Sequence, residues 1–160
     1  GEASSALFEL VKGSFEALSA GKDPPIVGAI AELRLFHFAG VAPVTDRCAE
    51  CGRTPEAGEE AFWSPQAGGL LCNRCRVRER DAVMLAPGAR KLLPVLQRTD
   101  PRRLGAVRVG QPTRVAIRGA LSAWFDRHVD VKLRSKAVLE QVEAVFGDGP
   151  DGGHSDEKSC

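Results

Sequence analysis

Two pairs of cysteines constrain this chain more than any other feature of its sequence. Cys48 and Cys51 form one Cys-x-x-Cys pair, Cys72 and Cys75 form a second, and twenty residues separate the two. Two such turns held together by a hairpin place four sulfurs at the corners of a tetrahedron, which suits zinc at about 2.3 Å per bond. Gly52 follows the first pair, where the turn commonly needs a positive φ. The spacing therefore predicts a Zn²⁺ site with these four cysteines as ligands.

Two other uses of four cysteines stay open from the sequence. Disulfides need an oxidising compartment, and residues 1–10 lack the basic and apolar regions of a secretory signal. Iron–sulfur clusters usually draw on cysteines that are more tightly spaced. The pattern favours zinc over both alternatives.

The expected metal site is structural rather than catalytic. Four thiolates fill the coordination shell of zinc, whereas a catalytic zinc keeps an open position and works beside a general base. No histidine stands at motif distance from the cysteines, and the deaminase pattern of H-x-E followed by P-C-x-x-C is absent. We therefore expect a binding protein and not an enzyme, in which the metal contributes folding free energy. Arginines beside the pairs, chiefly Arg47 and Arg53, would offset the negative charge of the thiolates.

Helical periodicity surrounds the cysteine region. Between residues 41 and 80 this periodicity is lost, glycine, proline and cysteine are dense, and "AFWSPQAGGLLC" is typical of a β-hairpin. Asp23 is a candidate helix cap, Gly40 suits the left-handed position that ends a helix, and Pro94 should bend its helix. The predicted helices cover residues 4–21, 23–40, 87–98, 112–133 and 135–147.

These elements predict a mainly α fold, in which an α-helical domain carries an inserted, small four-cysteine zinc-binding β-hairpin module. The C-terminal residues are rich in Gly, Asp and Ser and have nothing apolar to bury, so they are predicted to be disordered. The predicted divisions are a helical hairpin at 1–43, the zinc-binding module at 44–80, the rest of the helical domain at 81–147 and the tail at 148–160.

Charge is distributed unevenly along the chain. Residues 74–136 contain 16 Lys and Arg against 5 Asp and Glu, a net charge of +11, and the segments on either side carry −5 each. This asymmetry indicates a polyanionic partner such as nucleic acid. A solvated arginine-rich face with acidic neighbours folded against it is the other interpretation. Contacts with nucleic acid would be directed at phosphates and would weaken as salt rises.

A few side chains carry expectations of their own. Arg118 falls inside the apolar arc of its predicted helix, so it reaches out to the rim, pairs with a buried carboxylate or is held for a ligand. His37 is expected to be a partly buried core residue. Phe62 and Trp63 are expected to pack beneath the cysteine turns.

Three stretches together resemble a known family. "AELRLFHFAGVAPVTDRCAECG" resembles the segment that leads into the first cysteine pair of the RecO recombination-mediator family of bacteria. "FWSPQAGGLLCNRC" resembles the hairpin of that family, and "RGALSAWFDRHVDVKLRSKAVLEQV" resembles its closing helix with a basic junction. The order of the elements also matches, and the resemblance covers about residues 7–143.

The resemblance implies a protein of DNA repair and homologous recombination that works with RecF and RecR. Such proteins bind single- and double-stranded DNA, RecR and single-strand-binding protein in the bacterial cytoplasm, at the nucleoid and not at a membrane. The four cysteines match the zinc ligands of the family, and Lys132, Arg134 and Ser135 match its basic junction. Together with the neighbouring charges, the expected DNA-binding residues are Lys132, Arg134, Lys136, Arg102, Arg103 and Arg118.

One part of the family pattern is expected to be absent from this chain. Family members begin with an OB barrel, and no β-rich segment of that size precedes Leu7. Strand annealing, which the barrel supports, is therefore not expected of this chain alone. A second hypothesis stays open, namely a zinc-stabilised protein-interaction module that binds an acidic partner without touching nucleic acid.

Overall fold

The structure is a computed structural model that describes residues 1–130 of the 160-residue chain. The predicted helix at 135–147, the predicted tail at 148–160 and Cys160 lie outside the described residues. Within residues 1–130 the fold is mainly helical with one small sheet, as predicted. None of the helices in this part of the chain is long and apolar enough to cross a membrane.

Four α-helices form in the described residues, close to where the periodicity predicts them. The fourth is continued by a π-helical turn at Phe125–Val129. Pro94 lies inside the third helix, which runs on through it. The helices are α1 (Glu2–Ser19), α2 (Pro24–Phe38), α3 (Pro87–Arg98) and α4 (Gln111–Trp124).

Helices α1 and α2 form an antiparallel hairpin joined by a short turn. Gly21 and Gly40 follow their C-terminal ends with φ of 77° and 73°, the left-handed conformation that glycine adopts without strain. Asp23 stands at the N-cap of α2 as predicted, but its side chain makes no capping hydrogen bond. Instead the carboxylate pairs with both terminal nitrogens of Arg114 in the first turn of α4.

Helix α2 is the central helix and contacts the other three. Arg114 ties the start of α4 to the start of α2, and the Trp124 indole donates to the carbonyl of Val41 just beyond the end of α2 at 2.9 Å. The two helices therefore run in the same direction. The buried side chains that fill the space between the helices include Ile26, Ile30, Leu33, Leu93, Leu96, Ile117 and Leu121.

The inserted segment folds as a three-stranded antiparallel sheet. Strand β1 (Ala61–Ser64) lies in the middle, with β2 (Gly69–Cys72) on one side and β3 (Val83–Met84) on the other. The first two strands form the predicted hairpin, in which Ala61 pairs with Cys72 and Ser64 with Gly69. The sheet thus includes β3, which lies beyond residue 80.

Two adjacent residues of β1, with side chains on opposite faces of the strand, join the cysteine region to the helices. Phe62 is buried beside Cys48, Leu71 and Cys72, as expected. Trp63 points to the opposite face, because side chains alternate along a strand, and packs in the helical core. Its indole donates to the carbonyl of Ala120 at 3.0 Å. The expectation that Trp63 packs beneath the cysteine turns is therefore wrong.

Candidate metal centre and basic surface

The four cysteines predicted as ligands converge on one point. The Sγ atoms of Cys48, Cys51, Cys72 and Cys75 all lie within 4.8 Å of one another, and those of Cys51 and Cys72 are 3.9 Å apart. Tetrahedral bonds of about 2.3 Å place sulfurs roughly 3.8 Å apart, so the cluster has the size that one four-coordinate metal requires.

Backbone hydrogen bonds hold the first cysteine turn in shape. The amide of Gly52 donates to the carbonyl of Cys48 at 2.9 Å, and the amide of Cys48 donates to the carbonyl of Arg53 at 2.8 Å. Gly52 has a φ of 76°, as the sequence predicts. The amide of Ala49 donates to the carbonyl of Leu70 at 2.7 Å, which ties this turn to β2 and hence to the second pair.

The protein environment shifts the pKa values of three of the four thiols, and not all in the same direction. Burial works to raise the pKa of Cys72, but backbone amides of the second turn and the side chain of Arg53 outweigh it and lower that pKa to about 6. Burial also works to raise the pKa of Cys48, but hydrogen bonds from backbone amides of both turns outweigh it and lower that pKa. For Cys75, burial and hydrogen bonds to the neighbouring sulfurs raise the pKa to about 12.

The donor set fits a metal ion by its chemistry as well as its size. Backbone amides aimed at a sulfur stabilise the thiolate, which is the form that binds metal. The Nε atom of Arg53 is buried without a hydrogen-bond partner among the described residues, and a thiolate at the nearby Cys72 supplies negative charge on that side. A metal held by these four cysteines would crosslink the two turns, because four sulfurs would leave no open position for substrate.

A chain of side chains connects the cluster to helix α3. Arg53, beside Cys72, pairs with both carboxylate oxygens of Glu59. The guanidinium of Arg90 on α3 donates to the backbone carbonyls of Pro55, Glu56 and Glu59. Arg53 is therefore placed to offset thiolate charge at Cys72, as expected. Arg90 holds the loop at residues 55–59, which carries Glu59, the ion-pair partner of Arg53.

The other arginines near the cysteines have different surroundings. Arg47 is paired with the adjacent Asp46 at 3.0 Å, and both side chains are about half exposed. Arg76 lies over the ring of Phe62, with 4.6 Å from its guanidinium carbon to the ring centre. Arg78 pairs with Glu50 at 2.9 Å, and Arg74 is exposed. The interaction of Arg47 is with Asp46 and not with the sulfurs.

Five of the six predicted DNA-binding residues fall into three groups. Lys132, Arg134 and Lys136 lie outside the described residues. Arg103 is exposed in the turn that follows α3. Arg102, in the same turn, is bound to α1 through Glu16 at 2.6 Å and Glu9 at 3.0 Å. These pairs give Arg102 a structural partner, and its contact with DNA stays a prediction.

Arg118 is exposed on α4, so it is not enclosed in the core. Its positive charge lies near Glu32 on α2: partial burial raises the pKa of Glu32, and attraction to Arg118 works against that rise. Of the three sequence interpretations, reaching the rim therefore describes Arg118, and Glu32 is an exposed carboxylate near it and not a buried partner. The third, a role in holding a ligand, stays a prediction.

A cleft of about 580 Å³ opens where α2, α3 and the segment before Cys48 meet. Its walls carry four side chains that are positively charged or can become so, above an apolar base that includes Leu33 and Pro94. They also carry Asp46, the ion-pair partner of Arg47. His37 is exposed in this cleft and is not the partly buried core residue that its sequence context suggests. The four side chains are Arg34, His37, Arg47 and Arg98.

Sequence reasoning missed two residues that assemble the centre. Arg90 is one of many arginines in the sequence, although it lies three residues after Pro87, where α3 begins, and so in the first turn of that helix. His128 stacks on Trp124 with ring centres 4.0 Å apart, and its Nε2 lies 2.7 Å from the carbonyl of Pro65 in the hairpin turn. No local pattern predicts the contact of Arg90 with residues 55–59 or that of His128 with Pro65, because these partners are distant in sequence.

The chain matches the family described as "Recombination protein O C terminal" over residues 1–137. It belongs to the RecO family. Among curated relatives it is 38% identical to DNA repair protein RecO of Exiguobacterium sibiricum, covering 86% of this chain and 54% of the relative. It is 29% identical to DNA repair protein RecO of Bacillus velezensis, covering 87% of this chain and 53% of the relative.

The match confirms the resemblance found in the sequence. The chain spans about half the length of the curated RecO relatives that it matches. The part of the family that it corresponds to is the C-terminal one, which agrees with the mainly helical fold and the cysteine cluster described above. No solved structure matches the chain.

Proposed function

We propose that this protein acts in DNA repair and homologous recombination as a RecO-type mediator that binds and does not cleave. Its substrates would be single- and double-stranded DNA, and its protein partners RecR and single-strand-binding protein, in the bacterial cytoplasm. The observation that carries the proposal is the family match over residues 1–137, joined to the net charge of +11 in residues 74–136.

The DNA contacts in this proposal are made by exposed arginines and lysines to phosphates. Arg103 and Arg118 are exposed, and Lys132, Arg134 and Lys136 continue the same basic stretch of sequence. No base-reading motif accompanies them, so binding would tolerate changes of sequence. Each phosphate contact releases counterions, which makes the affinity fall steeply with salt.

Fluorescence polarisation of a labelled oligonucleotide tests the DNA part on the natural gene product. The affinity should fall by a factor of about 10³ or more between 50 and 200 mM salt. Replacing Arg103 and Arg134 by Gln should lower the slope of log K against log salt by about 1 per residue. Lys12→Gln on the acidic N-terminal helix is the matched control and should leave the slope unchanged. The absence of DNA binding at low salt would contradict the proposal.

The metal in this proposal is zinc, held by Cys48, Cys51, Cys72 and Cys75 as a structural crosslink. The closed sulfur set and the C-x-x-C spacing support zinc over metals that prefer oxygen ligands. Native mass spectrometry before and after treatment with a strong chelator tests it. A mass decrease equal to one zinc ion is expected, and no mass change, or the mass of an iron–sulfur cluster, would overturn it.

A second candidate function is the binding of an acidic peptide in the cleft between α2 and α3. The specific observation is the arrangement of Arg34, Arg47, Arg98 and His37 around an apolar base. Such a cleft combines pockets for apolar side chains with cations for carboxylates. An acidic, partly apolar tail of a protein partner is the ligand that suits it.

Charge reversal separates the two functions. Arg98→Glu, in the cleft, should weaken binding of an acidic peptide about tenfold or more and change DNA affinity little. Arg103→Glu, outside the cleft and five residues away, is the matched variant and should weaken DNA binding while sparing the peptide. If both variants lower both affinities equally, a single surface serves both ligands and the cleft has no separate role.

A further inference from the structure

Helix α1 exposes a continuous apolar face. Five large apolar side chains on this one helix are between 40% and 66% exposed. At 100° per residue they share an arc of about 100° on the helix surface. Single exposed apolar residues are ordinary, but a row of five along an 18-residue helix marks a contact surface. The five are Leu7, Phe8, Val11, Phe15 and Leu18.

A different side of α1 makes its contacts with the described fold. Leu10, Gly13 and Ala17 are the buried residues of this helix. Arg102 lies across Gly13, where an added Cβ would come within 3.3 Å of the Arg102 side chain, and it pairs with Glu9 and Glu16. The packing of α1 on α2 and on the turn at Pro101–Arg103 thus uses the side with Leu10, Gly13 and Ala17, and it leaves the five large apolar side chains 40% to 66% exposed among residues 1–130.

Asp130, the last residue that the structure describes, lies at the end of the molecule where the apolar face of α1 begins. Helix α1 is antiparallel to α2, and α4 is parallel to α2, since Arg114 meets Asp23 at one end and Trp124 meets Val41 at the other. Asp130 therefore lies at the end of the bundle that holds the N-terminal half of α1. Four residues, 131–134, can span roughly 13 Å, which is enough to pass from one helix to a neighbouring one.

The sequence that follows has a matching apolar face. Residues 135–147 are predicted to form a helix, and Val138, Leu139, Val142, Val145 and Phe146 fall within an arc of about 120°. Thirteen helical residues are about 20 Å long, and Leu7 to Leu18 spans about 17 Å. We propose that residues 135–147 dock on the apolar face of α1, running parallel to α1 and antiparallel to α4.

This docking has a consequence for the basic junction. It places the reversal of the chain at residues 131–135, so that Lys132, Arg134 and Lys136 are presented together at one end of the helical bundle. The five large side chains of α1 and the five of the segment then cover one another. Such a contact would hold the cationic turn beside the N-terminal half of α1.

Hydrogen exchange on the natural gene product tests the docking. The variant Val142→Ser with Phe146→Ser removes apolar contacts from the segment, and Glu140→Ser with Glu143→Ser, on its opposite face, is the matched control. The first variant should speed amide exchange in residues 7–18 about tenfold or more while leaving α3 and α4 unchanged. The control should change neither. Equal exchange of residues 7–18 in all three proteins would overturn the proposal.

A double-mutant cycle provides a second measurement. Phe15→Ser and Val142→Ser should each raise the unfolding equilibrium constant, and together they should raise it by at least about threefold less than the product of the two effects. Purely multiplicative effects would overturn the docking. Sedimentation tests the alternative that a second copy of the chain covers α1. If residues 7–18 become protected from amide exchange only as a dimer forms, that alternative is correct and the proposal is wrong.

Discussion

At the scale of single residues, Gly69 has both a left-handed backbone and no room for a side chain. Its φ is 133°, and a Cβ placed there would overlap the backbone carbonyl and amide of Val44. Val44 is joined to this strand by hydrogen bonds, Leu70 N–H to its carbonyl at 2.8 Å and its own amide to Gly68 at 3.0 Å. These bonds bring the segment before Cys48 against β2, so the close approach is required for the cysteines to meet.

We expect Gly69→Ala to lower the free energy of unfolding by about 2–3 kcal/mol, since it introduces both backbone strain and a clash with backbone. Gly119→Ala on α4 is the control, because nothing lies within 4 Å of a Cβ there and alanine favours a helix. It should be neutral or stabilising by up to about 1 kcal/mol. Urea unfolding of both variants measures the difference, and equal stability would contradict the clash.

The pair of Asp23 and Arg114 gives the fold a defined response to acid. Hydrogen bonds from the Arg114 guanidinium hold the pKa of Asp23 below its ordinary value of 3.8. A carboxylate whose pKa is lowered on folding stabilises the native state above its unfolded pKa, and that contribution is lost as pH falls through the folded pKa. Asp23→Asn should therefore cost about 1 kcal/mol at pH 7 and much less near pH 2.

Denaturant unfolding of the native protein and of Asp23→Asn at pH 7 and at pH 2 to 3 checks this dependence. Asp46→Asn removes the carboxylate of an exposed ion pair and is the matched control, expected to change stability by less than about 0.5 kcal/mol at either pH. A cost of Asp23→Asn that stays constant across this range would show that the ion pair does not supply it.

At the scale of elements, local patterns predict the helices and the hairpin but not their faces. The limits of α3 and of strands β1 and β2 agree with the sequence, since proline, glycine and the change of periodicity mark them. Which side of α1 is buried could not be predicted, because Leu7 and Leu10 look alike until a partner is present. The two sides of β1 pose the same difficulty at Trp63.

The convergence of the four cysteines could be predicted, because a site for one metal needs four thiolates in a fixed pattern of turns. The supporting residues could not, since Arg90 acts through backbone carbonyls 31 to 35 residues away and those have no sequence signature. Arg47 and Arg53 look equivalent beside the first pair. The structure separates them, with Arg53 against Cys72 and Glu59 and Arg47 against Asp46.

This difference predicts how the two arginines affect metal binding. Arg53→Gln removes a positive charge that lowers the pKa of Cys72, so it should weaken the thiolate and speed zinc release about tenfold. Arg47→Gln should leave release unchanged within about twofold. Transfer of zinc to a coloured chelator at pH 7 measures both rates. The same rate for both variants would mean that Arg53 serves only to fold the loop.

At the scale of the whole molecule, the cysteine module and the helical body share one seam. Trp63 of β1 and Trp124 of α4 are both buried there, with ring centres 5.7 Å apart, and His128 stacks on Trp124 from the C-terminal side. Each indole donates a hydrogen bond to a backbone carbonyl of another element. These are the two tryptophans of the chain, so its indole fluorescence reports on this seam.

Because the seam is part of the helical core, we expect metal removal to destabilise the helices as well as the module. With a strong chelator, tryptophan emission should shift to longer wavelength, and helical circular dichroism should melt at a temperature lower by several degrees. Both signals should change in one transition. If the module opens while the helices melt at an unchanged temperature, the module is an independent unit. In that case the metal stabilises only the cysteine turns and their arginines. Metal binding then does not stabilise the helices that carry the surface proposed to bind DNA.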